Sequence, residues 1–141
     1  MAMLDGLGML DYLSDKEKTQ LEVFCQEKFL QPWDVLFNEW DEANAMYFLK
    51  EWKIEISKSI KGTPTKLWVI EAEDILGEMA LFGSSSKRMA TAKVQKDTIL
   101  ITILSFSIKE LTSKHPILLE KIKEIIEARN YENKISESKV R

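Results

Sequence analysis

Hydrophobic positions along the chain change their period twice. Near the N-terminus Leu21 and Phe24 recur at helical spacing with Cys25 beside them, and Ser14 followed three residues later by Glu17 has the form of a capping box. A helix is predicted to start there. A shorter helix through Leu7, Leu10 and Leu13 precedes it, weakened by Gly6 and Gly8. From about residue 28 to about residue 105 the period shortens. The segments AMYFLKEW, KIEISKS, KLWVIEA, MATAKVQ and TILITIL are short and rich in β-branched and aromatic residues. Polar pieces with turn chemistry (QPWD, EWDEAN, KGTPT, EAED, QKDT) separate them. Many short strands at fairly even spacing predict a sandwich or barrel. After Leu104 the helical period returns. Ser107 and Glu110 repeat the S-x-x-E signal, Pro116 suits the first turn of a further helix, and Leu118, Leu119, Ile122, Ile125 and Ile126 line one face. A polar tail over residues 131–141 is predicted to fray. The predicted fold is mainly β with flanking helices, in one domain: N-terminal helices over about 3–26, a barrel over about 28–105 and C-terminal helices over about 107–130.

Length and composition narrow the chemistry. The 141 residues suit a single domain that can bury a core without disulfides or metal. The lone Cys25 forms no internal bridge, which fits a reducing compartment. A net charge of -3 speaks against general affinity for nucleic acid. The start MAMLDGLGML carries Asp5 and no early basic residue, so it does not read as a secretory signal. Apolar runs fall far short of the roughly 18–20 residues that span a membrane. The reading is a cytoplasmic protein without nucleic-acid or membrane partners.

The stretch LGEMALFGSSSKRMATAKV, from Leu76 to Val94, carries the candidate chemistry. GEMALF can form one short turn of helix whose first N–H groups, after Gly77, point outward and attract an anion. Arg88 brings a permanent charge and a planar fork that fits a phosphate bidentately. The small residues of GSSS let the backbone wrap close to a ligand. Glu78, read as an exposed carboxylate, repels phosphate but accepts hydrogen bonds from sugar hydroxyls. One acid for a ribose and one arginine for a phosphate describe a nucleotide with both groups close together. The bland alternative for Glu78 and Arg88 is a surface ion pair worth about 0–1 kcal/mol.

The same residues resemble the phosphate-binding cassette of the cyclic-nucleotide-binding domain family, which includes the catabolite activator protein and the regulatory subunits of protein kinase A. The family pattern is roughly F/L-G-E-hydrophobic-A-L, a short variable loop, then (P)R-x-A-T. Gly77, Glu78, Ala80, Leu81, Arg88, Ala90 and Thr91 match it. DVLFNEWDEANAMYFLKEWKIEIS is similar to the family's first strands, and LSFSIKELTSKHPILLEKI to its helix after the barrel. The resemblance covers about residues 13–129. It implies an antiparallel jelly-roll barrel, with Glu78 accepting from the ribose 2′-hydroxyl and Arg88 pairing with the cyclic phosphate. Backbone N–H groups near Gly77, Met79, Ala80, Met89 and Ala90 would complete the cradle. The helix from Pro116 would be a mobile lid or a dimer element. Cyclic GMP-selective members often place a threonine after the arginine, and Met89 stands there instead, which favours cAMP. Too little chain follows Arg129 for the DNA-binding winged helix of transcription-factor relatives, so the resemblance implies a stand-alone sensor whose output passes to a separate effector or to a homodimer mate through the C-terminal helix.

Departures from the family pattern carry expectations of their own. Trp33, Trp40, Trp52 and Glu73 occupy turns where the family usually has glycine. A non-glycine residue at positive φ costs about 1–3 kcal/mol, so these turns are expected to be remodelled. Lys87 replaces the usual proline and would add a second positive charge near the phosphate. The tryptophans are expected to pack over barrel ends or to form a partner-binding patch. Cys25 is expected in the core on a helix face, and His115 at the start of the helix that Pro116 opens. The Leu118–Ile126 stripe is core or a dimer seam.

Enzyme classes fit poorly. A metal cupin needs several histidines and His115 is the single one, no nucleophile elbow occurs, and GSSS lacks the G-K-[ST] ending of a P-loop. No catalytic residue, metal or cofactor is predicted. The second class of function is a barrel that has lost its ligand and acts as a protein-interaction module.

Overall fold

The computed structural model describes residues 3–4, 7–83 and 86–140, with residue 9 and residues 131–140 described by backbone alone. A 3-10 turn over Gly8–Leu10 is followed by helix α1, Asp15–Glu22. Ser14 caps α1 as its sequence predicts: the Glu17 N–H donates to Ser14 Oγ at 3.2 Å and the Ser14 N–H donates to Glu17 Oε1 at 3.1 Å. The glycines flanking Leu7 leave only the 3-10 turn where a short helix was expected.

Eight strands follow: β1 (Cys25–Leu30), β2 (Val35–Phe37), β3 (Ala45–Glu51), β4 (Ile54–Ile60), β5 (Thr63–Ile70), β6 (Ile75–Leu76), β7 (Thr91–Lys93) and β8 (Thr98–Leu104). They form two four-stranded antiparallel sheets, in the orders β1-β8-β3-β6 and β2-β7-β4-β5. A single-turn helix α2 (Met79–Phe82) lies between β6 and β7. Helices α3 (Ser105–Lys114) and α4 (Pro116–Val140) close the chain. This is the jelly-roll arrangement the resemblance implied. Among the described residues no helix is long and apolar enough to cross a membrane, and no cluster of His, Cys, Asp or Glu is placed to hold a metal ion.

The central strands of the first sheet, β3 and β8, are largely buried on both faces, which is why β3 reads AMYFL without a polar interruption. Ala45, Tyr47 and Leu49 join Ile54, Ile56, Leu76, Ala92 and Leu100 inside the barrel. Met46 and Phe48, with Ile101 and Ile103 of β8, face outward against Leu7, Leu10, Leu21, Ile108, Leu118, Ile122 and Ile126. Each large aliphatic or aromatic side chain so buried contributes about 1.5–3 kcal/mol. The stripe on α4 is therefore absorbed within the chain rather than left as a seam.

Several local expectations are corrected. Cys25 opens β1 instead of extending α1; it is half-buried, its Sγ donates to the Leu21 carbonyl, and burial beside Glu22 pushes its thiol up to about 12. Ser107 is not an N-cap. It lies inside α3, which starts two residues earlier, where the Ser105 N–H donates to the Asn44 carbonyl at 2.8 Å. The chain beyond residue 130 continues α4 to Val140, and YENKISESKV holds no glycine or proline to stop it.

The glycine-less turns are not remodelled. Trp33, Trp40, Trp52 and Glu73 adopt φ of 72°, 76°, 73° and 74°. Neighbouring hydrogen bonds hold Trp33, Trp40 and Glu73 there. The Asp34 carboxylate accepts from the Gln31 N–H at 2.8 Å and the Asp41 carboxylate from the Asn38 N–H at 2.9 Å, so each W-D pair closes its turn with the aspartate side chain. The N–H groups of Trp33, Trp40 and Glu73 donate to the carbonyls of Val94, Arg88 and Leu49. The indoles do not seal barrel ends: Trp33 and Trp40 are 64% and 70% exposed.

Candidate functional site

The short strand β6 is followed by Gly77 at φ +83°, and this left-handed residue turns the chain from the sheet into α2. A side chain at residue 77 would place Cβ 2.6 Å from Arg88 Nη1. Glycine is favoured there both by the backbone angle and by the approach of the guanidinium.

Arg88 is 3% exposed. Its Nη1 donates to the Gly77 carbonyl at 2.9 Å and its Nη2 to the Ala45 carbonyl at 2.7 Å. The guanidinium carbon lies 4.3 Å from the Phe37 ring centroid and 5.7 Å from that of Tyr47. The backbone of Arg88 is clamped as well, its N–H donating to the Asp41 carbonyl at 2.7 Å and its carbonyl accepting from the Trp40 N–H at 2.8 Å. Among the described residues no carboxylate lies within 4.0 Å of it. Burial pulls its pKa below the ordinary arginine value, opposed in part by Tyr47 and Asp41. Among the described residues it is a buried cation facing carbonyls and ring faces, with Asp41 acting on it only from beyond ion-pair distance.

Glu78 is 1% exposed, against the exposed carboxylate read from the sequence. Its Oε2 accepts from the Met79 N–H at 3.1 Å, and its Oε1 accepts from Nη1 of Arg129 on α4. Arg129 also donates to the Ile75 carbonyl at 2.8 Å and lies 3.5 Å from Asp74. Lys87 does not add its charge to the site: its Nζ lies 2.9 Å from Glu42, whose carboxyl it holds below the ordinary value.

All seven residues singled out from the sequence, Gly77, Glu78, Met79, Ala80, Arg88, Met89 and Ala90, line one cavity of about 40 Å³. Phe37, Ile56, Leu67, Trp68 and Ile70 supply an apolar wall, and Arg129 reaches in from α4. Ser84 and Ser85, expected to wrap a ligand, lie outside the described residues. Arg129 was not singled out by sequence, yet it left a signal. It falls three residues after Ile126, in phase with Leu118 and Ile122, so an arginine stands on the buried face of an amphipathic helix. A buried cation implies a buried anion.

The comparisons with known proteins agree with this architecture. The chain is 25% identical over 134 residues to a protein of Rhodopseudomonas palustris named as a potassium channel protein, spanning 94% of this chain and 32% of that one. Among solved structures, the regulatory subunit of a cAMP-independent protein kinase A from Trypanosoma brucei matches with a TM-score of 0.79 at 16% identity, covering 94% of this chain and 48% of that one. The catabolite activator protein of Thermus thermophilus matches with a TM-score of 0.75 at 19% identity, covering 90% of this chain and 60% of that one. Residues 27–115 match the sequence model described as the cyclic nucleotide-binding domain, and the chain belongs to that family.

Proposed function

We propose that the cavity between α2, β5 and α4 binds a 3′,5′-cyclic nucleotide and that the domain acts as a regulatory sensor. The observation that supports this most is Arg88, a buried guanidinium without a carboxylate. A buried charge is costly unless paired. Arg88 spends two N–H groups on carbonyls and is also hydrogen-bonded to the Tyr47 side chain, and the rest of its five donors can serve phosphate oxygens. Gly77 allows the backbone to approach, and Glu78 supplies a carboxylate one residue away. An ionised carboxylate offers about four acceptor sites, so Glu78 can take a ribose hydroxyl beside the Met79 N–H and Arg129.

Arg129 gives the sensor its readout. A sugar at Glu78 changes the partner of an α4 residue, so the ligand is felt by the helix. A ligand that prefers one α4 position 10-fold shifts that equilibrium by about 1.4 kcal/mol. The output passes to an effector or a second copy through α4. Met89, in place of threonine, makes cAMP the first nucleotide to test. The Trypanosoma brucei neighbour is named as cAMP-independent, so cGMP and other cyclic nucleotides belong in the same titration.

Isothermal titration with cAMP and cGMP tests the reading. A dissociation constant near 1 μM, about -8 kcal/mol, is expected for at least one of them. Arg88→Ala should weaken it by at least about 100-fold, in line with removal of a charge-assisted contact. No heat and no change in melting temperature at millimolar nucleotide, from a protein with intact circular dichroism, would leave the interaction-module reading, with the exposed Trp33 and Trp40 as its surface.

A further inference from the structure

One residue of the cavity's apolar wall carries a buried polar atom that the cassette does not use. Strand β5 carries a bulge. Ile56 pairs with Trp68 but the next residue, Ser57, pairs with Lys66, so Leu67 and Trp68 together oppose Ile56. A bulge of this kind breaks strand alternation and re-aims side chains. Leu67, Trp68 and Ile70 accordingly all line the cavity. The indole Nε1 of Trp68 is buried and has no hydrogen-bond partner among the described residues. Trp33, Trp40 and Trp52 differ, because their rings are exposed to water. An indole N–H can only donate, and a buried donor left unpaired is unfavourable. The wall around it, Phe37, Ile56, Leu67 and Ile70, offers no side-chain acceptor.

We infer that Trp68 reads the nucleobase, its indole N–H donating to a ring acceptor of the base while the apolar wall covers the base faces. The inference rests on the proposed cyclic nucleotide site. Arg88 suits the phosphate and Glu78 the sugar, and what is left of a nucleotide is a flat ring with acceptors on its edge. A site with a dedicated buried donor rejects analogues that lack the matching acceptor far better than an apolar slot can.

The test uses the whole chain, wild type and Trp68→Phe, with cAMP and its 1-, 3- and 7-deaza analogues. Each analogue replaces one ring acceptor nitrogen by C–H. Phenylalanine keeps an aromatic ring and removes the N–H. Binding of cAMP should weaken about 10-fold in Trp68→Phe, the size of one hydrogen bond. One deaza analogue should bind the wild type about 10-fold more weakly than cAMP and be indifferent to the substitution. Equal cAMP affinity in the two proteins, as expected if a trapped water is the acceptor, overturns base reading and leaves the cyclic nucleotide site standing. Wild-type binding of no cyclic nucleotide overturns both. If Trp68→Phe does not fold, ¹⁵N-labelled indole resonances of the wild type decide: the Trp68 N–H proton should move downfield on adding cAMP, and an unmoved resonance overturns the inference. Phenylalanine variants of the three exposed tryptophans assign that resonance by elimination.

Discussion

Gly77 and Arg88 constrain each other. The carbonyl of Gly77 holds one arm of the guanidinium, and the missing Cβ of the same residue leaves room for it. Gly77→Ala combines a positive-φ penalty with a 2.6 Å contact to Nη1, so it should lower unfolding stability by about 1–3 kcal/mol, and by more if Arg88 cannot shift. Urea midpoints of the two proteins read this directly, and equal midpoints would mean that the guanidinium moves aside at no cost. The sequence made the cassette legible because its residue types are few and chemically distinct. It did not make the environment legible. Glu78 was read as exposed because a carboxylate usually is, and its burial depends on Arg129, 51 positions away. Lys87 was read as serving the phosphate because it adjoins Arg88, yet successive residues of an extended chain point to opposite sides, and Glu42 lies on the other side.

Elements were legible where burial and period agree. TILITIL is β8 to the residue, and AMYFLKE is β3, because strands of a sheet covered on both faces are nearly continuous apolar runs. Strand β1, CQEKFL, escaped because it lies at a sheet edge with four exposed residues, and its Cys25 falls in phase with the preceding helix. Two-residue β6 is too short to show any period. The turns that replace glycine with tryptophan misled for a different reason. Intrinsic strain was counted, but the clamp that offsets it was not: an aspartate one residue on, plus an N–H directed into the neighbouring segment. Trp40→Gly tests whether strain persists. Glycine relieves a left-handed penalty of about 1–2 kcal/mol and gives back about 0.4–1 kcal/mol through the entropy of the unfolded chain. Because the Trp40 ring is 70% exposed, little burial is lost, and the variant should be more stable by about 0.5–1 kcal/mol in chemical denaturation. A loss of stability would show that the ring itself braces the 38–41 turn against Arg88.

At the scale of the molecule the first sheet separates two cores, one inside the barrel and one beneath the helices. Helix α4 is bound by Leu118, Ile122 and Ile126 to the second core, which also holds Leu81 of the cassette with Met79 and Phe82 packed against it, and Arg129 adds an ion pair to Glu78. These attachments differ in kind. The apolar one is broad; the ionic one ends on the carboxylate that the proposed sugar would share. The ionic share of the coupling between cassette and helix is measurable without ligand. Arg129→Gln leaves a carboxylate buried and unpaired, which should destabilise the fold by about 3–5 kcal/mol, and Glu78→Gln leaves a guanidinium that retains Ile75 and Asp74 and should cost less. The double variant Glu78→Gln/Arg129→Gln should be less destabilised than the sum of the two, with a coupling energy of about 1–3 kcal/mol from the cycle. Additive effects would show that the Glu78–Arg129 pair does not couple α4 to the cassette, and the helix would then report the cavity through its apolar contacts with Leu81, Met79 and Phe82 instead.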